Sequence, residues 1–353
     1  MAAEVAKADF NFGTPTLVPN VNSKYVDCLP RISSDDLTLF FTSSRRPGWE
    51  YDDWDIWVST RANKDDSWGE PEKLGPIINT SVVDGCPSIS TDGLSLYFSS
   101  TRAVGYGSWD IWLTTRATLE DEWGEPRNLG PNVNSSSADA APTISVDGLT
   151  LYFASSRPGG LSTDDFWVVR RQTVDDDWGP AENLGLPISS PYDEWTSEIT
   201  ADGLMFVFSD AFIPRPDGLG NSDIYMSRRS SIYEPWGEPT NLGAPINSPS
   251  YDWGVSISAD GSTIYFNSNR PGGQGDHDIW QAPIEPVVDL NGDGIVDADD
   301  MCIVVDNWGT DNSLCDIGPM PWGDGIVDVQ DLIVLAEHLF EEIPQVEPAE
   351  PVE

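Results

Sequence analysis

The stretch SADGSTIYFNSNRPGGQGDHDIW, residues 258–280, contains a tight turn, an alternating strand, an Arg-containing loop and a second strand in that order. Four earlier parts of the chain repeat this order. Each copy carries a marker Asp, followed by an apolar and then an aromatic residue, and these are Asp55, Asp110, Asp165, Asp223 and Asp278. Successive markers are 55, 55, 58 and 55 residues apart. Each copy supplies four short strands separated by Gly or Asp turns, which predicts one blade of a β-propeller.

The fifth copy lacks the fourth strand, which begins at Trp68, Trp123, Trp178 and Trp236 in the other copies. The N-terminal stretch NFGTPTLVPNVNS, residues 11–23, matches this missing part, since its FGTP and PNVN segments align with WGEP and PNVN of the second copy. A propeller that shares one blade between its two chain ends has no exposed sheet edge there. We therefore predict an all-β five-bladed β-propeller in which the N-terminal strand closes the last blade.

The charge of the chain restricts its partners. Lys and Arg number 18 against 59 Asp and Glu, which gives a net charge of -41. Such a protein repels phosphate backbones and anionic lipid, so we expect no nucleic-acid partner. No stretch is apolar for long enough to cross a bilayer, so we expect no membrane span.

An Arg precedes the marker Asp in four copies, at Arg45, Arg102, Arg157 and Arg270. A guanidinium and a carboxylate at a recurring offset suit an ion pair within each blade, so we expect these Arg residues to pair with the marker Asp. In the fourth copy the loop at 210–221 is longer, and Arg215 falls out of register.

A carboxylate also precedes each predicted inner strand, and these inner acids are Asp27, Asp84, Asp139, Glu194 and Asp252. Two interpretations remain open: each acid caps its own turn by accepting backbone hydrogen bonds, or the five form a site for a hard cation or ligand at the channel mouth. Three neighbouring blades add aromatic residues, namely Tyr25, Tyr192, Trp195, Tyr251 and Trp253. Aromatic rings beside carboxylates predict a surface for a glycan, although they also suit inter-blade packing or a protein interface.

The pattern changes after residue 286 to loops followed by helices. The segment DLNGDGIVDADD, residues 289–300, places oxygen ligands at the spacing of an EF-hand calcium loop. The predicted ligands are Asp289, Asn291, Asp293, the carbonyl of Ile295, Asp297 and Asp300. Asp300 stands where such loops usually have Glu.

A second GDGIVD motif at 323–328 predicts another loop with Asp324, the carbonyl of Ile326, Asp328 and Asp331 as ligands. Met320 and Trp322 occupy its first and third positions, so either Asp316 serves as a replacement ligand or the second site is weak or empty. Cys302 with Cys315, and Cys28 with Cys86, are candidate disulfides.

The repeat resembles the TolB-like, WD-type β-propeller repeat family, on the SxDGxxLYFxSxRPGGxGxxDIW pattern that residues 258–280 match. The duplicated loop-helix segment at 287–341 resembles a type I dockerin. That second resemblance implies a module that folds on binding Ca²⁺ and docks onto a cohesin-like protein in extracellular polysaccharide-degrading assemblies. A calcium-stabilised cap that folds against its own chain is the alternative for this module.

We therefore expect a leader or linker at 1–11, the propeller at 12–284, a dockerin-like domain at 285–341 and a disordered acidic tail at 342–353. The expected function is non-catalytic recognition of a polysaccharide or a protein by an extracellular or periplasmic protein, although no signal peptide is visible. Two alternatives remain. The protein is either a glycoside hydrolase that uses the inner acids around the propeller axis, or a pure protein-interaction scaffold. The only two histidines, His277 and His338, fall in different predicted domains, and no nucleophile motif accompanies them.

Overall fold

The computed structural model describes residues 10–45, 54–310, 312, 314–318 and 326–343. The chain divides into two compact units. One contains residues 14–259 and 263–282, and the other contains the remaining segments.

Four blades of the larger unit are antiparallel sheets of four consecutive strands. Strands are numbered in chain order. The first two blades contain β3 (Asp27–Ile32), β4 (Thr38–Ser43), β5 (Asp55–Thr60) and β6 (Glu72–Lys73), then β7 (Asp84–Ile89), β8 (Ser95–Ser100), β9 (Asp110–Thr115) and β10 (Arg127–Asn128). The next two contain β11 (Asp139–Ile144), β12 (Thr150–Ser155), β13 (Asp165–Arg170) and β14 (Glu182–Asn183), then β15 (Glu194–Ile199), β16 (Met205–Asp210), β17 (Ile224–Arg228) and β18 (Thr240–Asn241).

The fifth sheet joins the two ends of the chain. It contains β19 (Asp252–Ile257), β20 (Thr263–Ser268) and β21 (Asp278–Pro286), together with β1 (Phe10–Phe12) and β2 (Thr16–Leu17) from the N-terminal stretch. Strand β2 pairs with Trp280 and Gln281 of β21. The predicted five-bladed propeller and its closure by the N-terminal strand are thus confirmed.

Asn22 strengthens this closure. Its side chain accepts a hydrogen bond from the Ile279 amide at 2.6 Å and donates one to the Ile279 carbonyl at 2.8 Å, although the two residues are 257 positions apart. Asn79 makes the same pair of bonds to Ile56 within the first blade. The N-terminal stretch therefore supplies the last blade with the bracing that other blades obtain from their own residues.

The core lies between neighbouring blades. Buried aromatic and aliphatic side chains of adjacent sheets pack against one another, as the Phe166 ring does edge to face with Phe206 and Phe208. The outer strands of the first four blades begin four residues after the Trp at which the sequence predicts them to begin, and an Arg guanidinium covers each of these Trp rings, for example Arg116 at 4.4 Å from the Trp123 ring. The guanidinium thereby makes a cation–π contact with the ring and covers it from solvent.

The predicted pairs between Arg and the marker Asp are wrong. Each Arg instead contacts the inner acid of its own blade: Arg102 reaches Asp84 at 2.6 Å and Arg157 reaches Asp139 at 2.5 Å. Arg45 and Arg270 approach Asp27 and Asp252 at 3.5 and 2.7 Å, and Arg215 reaches Glu194 at 2.8 Å despite its shifted position in the sequence. The hairpin of the first two strands brings Arg and inner acid together.

The marker Asp has a different role. Asp110 accepts hydrogen bonds from the Tyr106 and Gly107 amides at 2.7 and 3.1 Å, and so closes the loop that precedes its own strand. Asp165, Asp223 and Asp278 do the same in the later blades. The marker recurs because it folds this loop.

The smaller unit contains two short helices, α1 (Ala298–Asp306) and α2 (Val329–Glu337). Each is N-capped by the Asp that precedes it and carries a capping box. The two halves also brace one another, because Val327 bonds to the chain after α1 and Val296 bonds to the chain after α2. Val296, Val304, Cys315, Val327 and Leu335 belong to the buried core of this unit.

Several sequence expectations concern the ends of the chain and the cysteines. Strand β1 begins at Phe10, so part of the expected leader at 1–11 is a strand, and residues 1–9 lie outside the described residues. Ile343 donates to the Gly294 carbonyl, and the rest of the expected tail, 344–353, also lies outside them. All four cysteines are free thiols, so neither candidate disulfide is present. No helix among the described residues is long and apolar enough to cross a membrane.

Candidate functional site

A cavity of about 790 Å³ opens where the five inner strands begin. Its lining includes the residue immediately before the marker Asp in every blade: Trp54, Trp109, Asp164, Ser222 and His277. Trp195 and Trp253, each next to an inner acid, and Tyr251 complete the aromatic part of the wall. We call this cavity the basin.

A ring of hydrogen bonds between blades fixes the basin residues. In each blade the residue before the marker Asp accepts, through its carbonyl, a bond from the inner-acid amide of the next blade. Trp54 accepts from Asp84 at 2.9 Å, Trp109 from Asp139 at 2.9 Å, Asp164 from Glu194 at 2.9 Å, Ser222 from Asp252 at 2.8 Å, and His277 from Asp27 at 2.9 Å. The backbone of these five residues is therefore uniform, whereas their side chains differ.

A bulge in the inner strand sets the direction of the Trp195 and Trp253 side chains. The pairing of β19 with β20 shifts register between Trp253 and Ser256, and β15 shifts in the same way between Glu194 and Ser197. In β19 the bulge contains Gly254 at φ +66°, where an added Cβ would lie 1.9 Å from the Asn267 side chain. Bulges of this kind re-aim neighbouring side chains. Trp195 lies within the shifted segment of β15, and Trp253 lies at the start of that in β19.

Asp164 is the most unusual polar group of the basin. It is 8% exposed, and no described residue donates a hydrogen bond to its carboxylate. Burial, with Asp193 and Asp165 nearby, raises the pKa of Asp164 to about 6. A desolvated carboxylate without a donor is costly to ionise, which makes it a strong acceptor for a ligand group.

Two other titratable groups line the basin. Burial raises the pKa of Asp210 to about 6, although its oxygens accept bonds from the Asp223 and Arg215 amides at 2.6 and 2.8 Å. Burial lowers the pKa of His277 to about 4, so its imidazole is neutral at neutral pH. The His277 ring lies 5.9 Å from the Trp253 ring and 6.2 Å from the Tyr251 ring.

The five inner acids are not among the described residues that line the basin. Asp27, Asp84, Asp139, Glu194 and Asp252 are all fully buried. Each accepts a bond from the amide four residues earlier, as Asp84 does from Thr80 at 2.7 Å, and each has the Arg partner described above. These contacts are those of the capping interpretation. Burial raises the pKa of Glu194 to about 8.

The predicted aromatic residues divide into two groups. Trp195, Tyr251 and Trp253 line the basin. Tyr25 and Tyr192 are not among the described residues that line it; Lys24 covers the Tyr25 ring at 5.2 Å, and Arg215 lies 6.0 Å from the Tyr192 ring.

Sequence reasoning missed Trp54, Trp109, Asp164, Asp210 and His277. A signal for most of them exists in the repeat, because the residue before the marker Asp differs in every pair of neighbouring blades except the first two, while the marker itself is constant. Variation at one fixed position of a regular repeat indicates a site that is free of the structural constraint.

The first calcium-type loop of the smaller unit is held closed by its own carboxylates. Asp289 accepts from the Gly292, Asp293 and Gly294 amides at 2.8–3.1 Å. Asp300 accepts from Leu290, Asn291 and Asp297 at 2.8–3.1 Å, and Gly294 takes a φ of +92° at the sharp turn. Asn291 and Asp293 are tied to the amides two residues on, and Asp297 caps α1.

The second loop contains a register change. Asp331 accepts from the Ile317 and Gly318 amides at 2.6 and 2.8 Å, as Asp300 does from Leu290 and Asn291. Ile317 therefore stands where Leu290 stands, which puts Asp316 in the position of Asp289 and leaves four extra residues, 319–322, in the loop. Asp328 caps α2, the Ile326 side chain is 54% exposed, and Asp324 lies outside the described residues. No three acidic, His or Cys side chains of the described part of the chain are grouped as a metal site.

Comparison with known proteins extends only to the fold. No family model matches the chain, and no curated protein matches it. Among solved structures it is similar to a glycoside hydrolase (TM-score 0.53, 10% identity, covering 78% of this chain and 92% of that one). It is also similar to an α-L-arabinofuranosidase of Podospora anserina in complex with cellotriose (TM-score 0.51, 12% identity, 78% and 98% covered).

TolB of Acinetobacter baumannii is a third similar structure, with a TM-score of 0.44 and 15% identity. The match covers 74% of this chain, which spans 55% of the length of that one. At 10% and 12% identity, the glycoside hydrolase and the α-L-arabinofuranosidase show a shared fold.

Proposed function

We propose that the propeller binds a carbohydrate in the basin and that the smaller unit is a calcium-dependent, dockerin-like docking module. The observation that supports the first part is a cavity of about 790 Å³ walled by Trp54, Trp109, Trp195 and Trp253. Flat apolar faces with few polar groups are the usual lining of a small-ligand site, and they suit the faces of a sugar ring. The protein is then an exported component of polysaccharide processing, outside the cell or in the periplasm.

The test of the first part is retention of the full chain on a panel of soluble and insoluble polysaccharides. We expect retention on at least one polymer, and we expect Trp109→Ala to abolish it. Tyr106→Ala is the matched control, because Tyr106 is an exposed aromatic residue outside the basin lining. Retention that survives Trp109→Ala, or that falls equally in Tyr106→Ala, would remove the basin from the proposal. No retention at all would leave a protein-interaction scaffold.

The calcium proposal rests on the donor set of the first loop. Asp289, Asn291, Asp293, the Ile295 carbonyl, Asp297 and Asp300 have the residue types and spacing that hard Ca²⁺ ions take, and Gly294 supplies the sharp turn. In the second loop Asp316, with Asp324, the Ile326 carbonyl, Asp328 and Asp331, would complete an equivalent set. A bound cation would replace hydrogen bonds by which these carboxylates now close the loop.

Removal of Ca²⁺ with EDTA tests the docking module independently of carbohydrate binding. We expect EDTA to lower the helical circular dichroism of the full chain and to abolish capture by a cohesin-like protein, while retention on polysaccharide persists. Asp300→Ala should reproduce the effect of EDTA in the presence of Ca²⁺. Helicity and calcium uptake that are unchanged by both treatments would refute the calcium-dependent module.

Hydrolysis of a glycosidic bond is the second candidate. It is favoured by the two basin carboxyls Asp164 and Asp210, because burial raises the pKa of both to about 6 and such hydrolysis requires a carboxyl that keeps its proton closer to neutral pH than an ordinary Asp does. Release of new reducing ends from a retained polysaccharide, lost in Asp164→Asn, would establish it. Retention without any product would leave recognition as the function.

A further inference from the structure

The charged side chains that line the basin have one sign. Asp164 and Asp210 carry its acidic groups, His277 is neutral at neutral pH, and neither Lys nor Arg is among the described residues that line it. The whole chain adds a net charge of -41, which attracts cations to its surface from a distance. An anionic sugar would meet repulsion in this cavity.

The aromatic wall favours a cation as well. Indole and phenol rings present a negative π face, and cation recognition by grouped aromatic rings is an established use of this property. Trp109, Trp195 and Trp253 are half-buried and Tyr251 is 44% exposed, so their rings border the cavity from several blades. These residues surround space of a size that admits a sugar ring with its substituents.

Asp164 lacks the partner that its burial calls for. Ordinarily a buried carboxylate is paired or hydrogen-bonded, as all five inner acids are, but Asp164 receives no donor from the described residues. An ammonium group offers three donors and a positive charge, whereas a hydroxyl offers one donor and no charge. The ammonium therefore satisfies this carboxylate better than a neutral sugar does.

We propose that the basin selects a glycan bearing protonated amino groups, such as a polymer of glucosamine, with Asp164 receiving the ammonium group and the Trp side chains stacking on the sugar. This inference rests on the proposed carbohydrate-binding function and specifies the class of ligand. It predicts binding that weakens with added salt, because part of the attraction is between opposite charges.

The test compares three hexasaccharides with the same β-1,4-linked backbone: hexaglucosamine, hexa-N-acetylglucosamine and cellohexaose. They differ only at carbon 2, which carries an ammonium, an acetamide or a hydroxyl group. Calorimetric titration of the full chain, at a pH at which the amines are protonated, should give an affinity for hexaglucosamine at least about tenfold above that for cellohexaose.

Two variants locate the selectivity. Asp164→Asn should remove most of the preference for hexaglucosamine over cellohexaose. Glu122→Gln removes an exposed charge outside the basin lining and should leave the preference intact. An equal loss in both variants would show general charge attraction and overturn the proposal.

The outcomes distinguish this inference from the proposed function. Equal or tighter binding of the neutral hexasaccharides by the wild-type protein would overturn the amino-sugar inference and retain carbohydrate binding. No binding of the three hexasaccharides, with no retention on the polysaccharide panel, would overturn both. The wild-type comparison needs no substitution, so poor folding of Asp164→Asn would not block the test.

Discussion

Two rings of five residues lie at the same end of the propeller. Backbone hydrogen bonds join one ring to the other, but their side chains differ in type and in contacts. The inner acids are carboxylates in all five blades, fully buried and paired with Arg. The five residues before the marker Asp are bonded to those acids through the backbone, yet their side chains are Trp, Trp, Asp, Ser and His. The regular ring holds the blades, and the irregular ring borders the cavity. In a repeat protein, a departure from the repeat therefore deserves a functional explanation before the repeat itself does.

The largest expected effect comes from breaking the regular ring. Asp139→Ala leaves the Arg157 guanidinium without its carboxylate and removes bonds from Ser135 and Ser155. Removing one partner of a buried pair costs about 3–5 kcal/mol. We expect the urea midpoint of the propeller transition to fall accordingly, and a loss no greater than that of Glu122→Gln would show that the ring is not what holds the blades.

Substitution of a basin residue should lower glycan affinity more than it lowers stability. Trp109→Ala removes a half-buried ring whose backbone bond to Asp139 remains. We expect glycan affinity to fall at least about tenfold, or about 1.4 kcal/mol, with a smaller loss of stability than Asp139→Ala causes. Titration and urea unfolding of the same preparation measure both quantities. Greater damage to stability than to binding would place Trp109 with the structural ring.

The sequence was sufficient to predict the blade count and the ring closure, because both depend on repeat spacing and on a missing strand that residues 11–23 supply. The predicted ion pair between each Arg and the marker Asp was wrong, because it was chosen for the short distance between the two residues along the chain. The hairpin register places Asp139 opposite Ser155, two residues before Arg157, and Arg lies 18 residues after the inner acid in four blades. That constant offset was available in the sequence.

The basin itself was harder to predict. Its residues come from five blades and meet only through bonds between blades, such as that from the Asp27 amide to the His277 carbonyl. Trp195, Tyr251 and Trp253 were found because aromatic residues beside inner acids stood out in the sequence. Asp164 and His277 did not, because a single Asp or His within an acidic, loop-rich chain has no pattern of its own.

The pH dependence of stability provides a third test. The pKa of Asp164 is about 6 in the folded protein against an ordinary 3.8, so the folded state binds this proton more tightly than the unfolded state does. The resulting penalty is complete above about pH 6 and disappears as the pH falls toward about 4. Asp164→Asn removes the penalty, so the variant should melt at a higher temperature than the wild type at neutral pH, with a difference that vanishes near pH 4.

Glu122→Gln is the control for this measurement, and its melting difference from the wild type should not vary over the same pH range. The groups that raise the pKa of Asp164 besides burial are Asp193 and Asp165, and both remain in the variant. A melting difference for Asp164→Asn that is constant with pH, or that grows in acid, would contradict the assignment of a raised pKa to this carboxyl.

The smallest expected effect is a difference in stability between two Arg–acid pairs of the regular ring. Arg157 lies 2.5 Å from Asp139, and its side chain is 11% exposed; Arg45 lies 3.5 Å from Asp27 and is 21% exposed. Among the described residues, Oδ1 of Asp27 accepts no hydrogen bond, whereas Oδ1 of Asp139 accepts one from Ser155 as well as from Arg157.

We therefore expect Arg45→Met to cost about 1 kcal/mol less than Arg157→Met, since Met fills similar space and the charge pair that it removes is weaker in the first blade. Parallel urea titrations of the two variants measure this difference. Equal costs would mean that the first blade depends on its ion pair as fully as the third. A larger cost for Arg45→Met would mean that closure of the ring concentrates stability in the blade that follows the shared one.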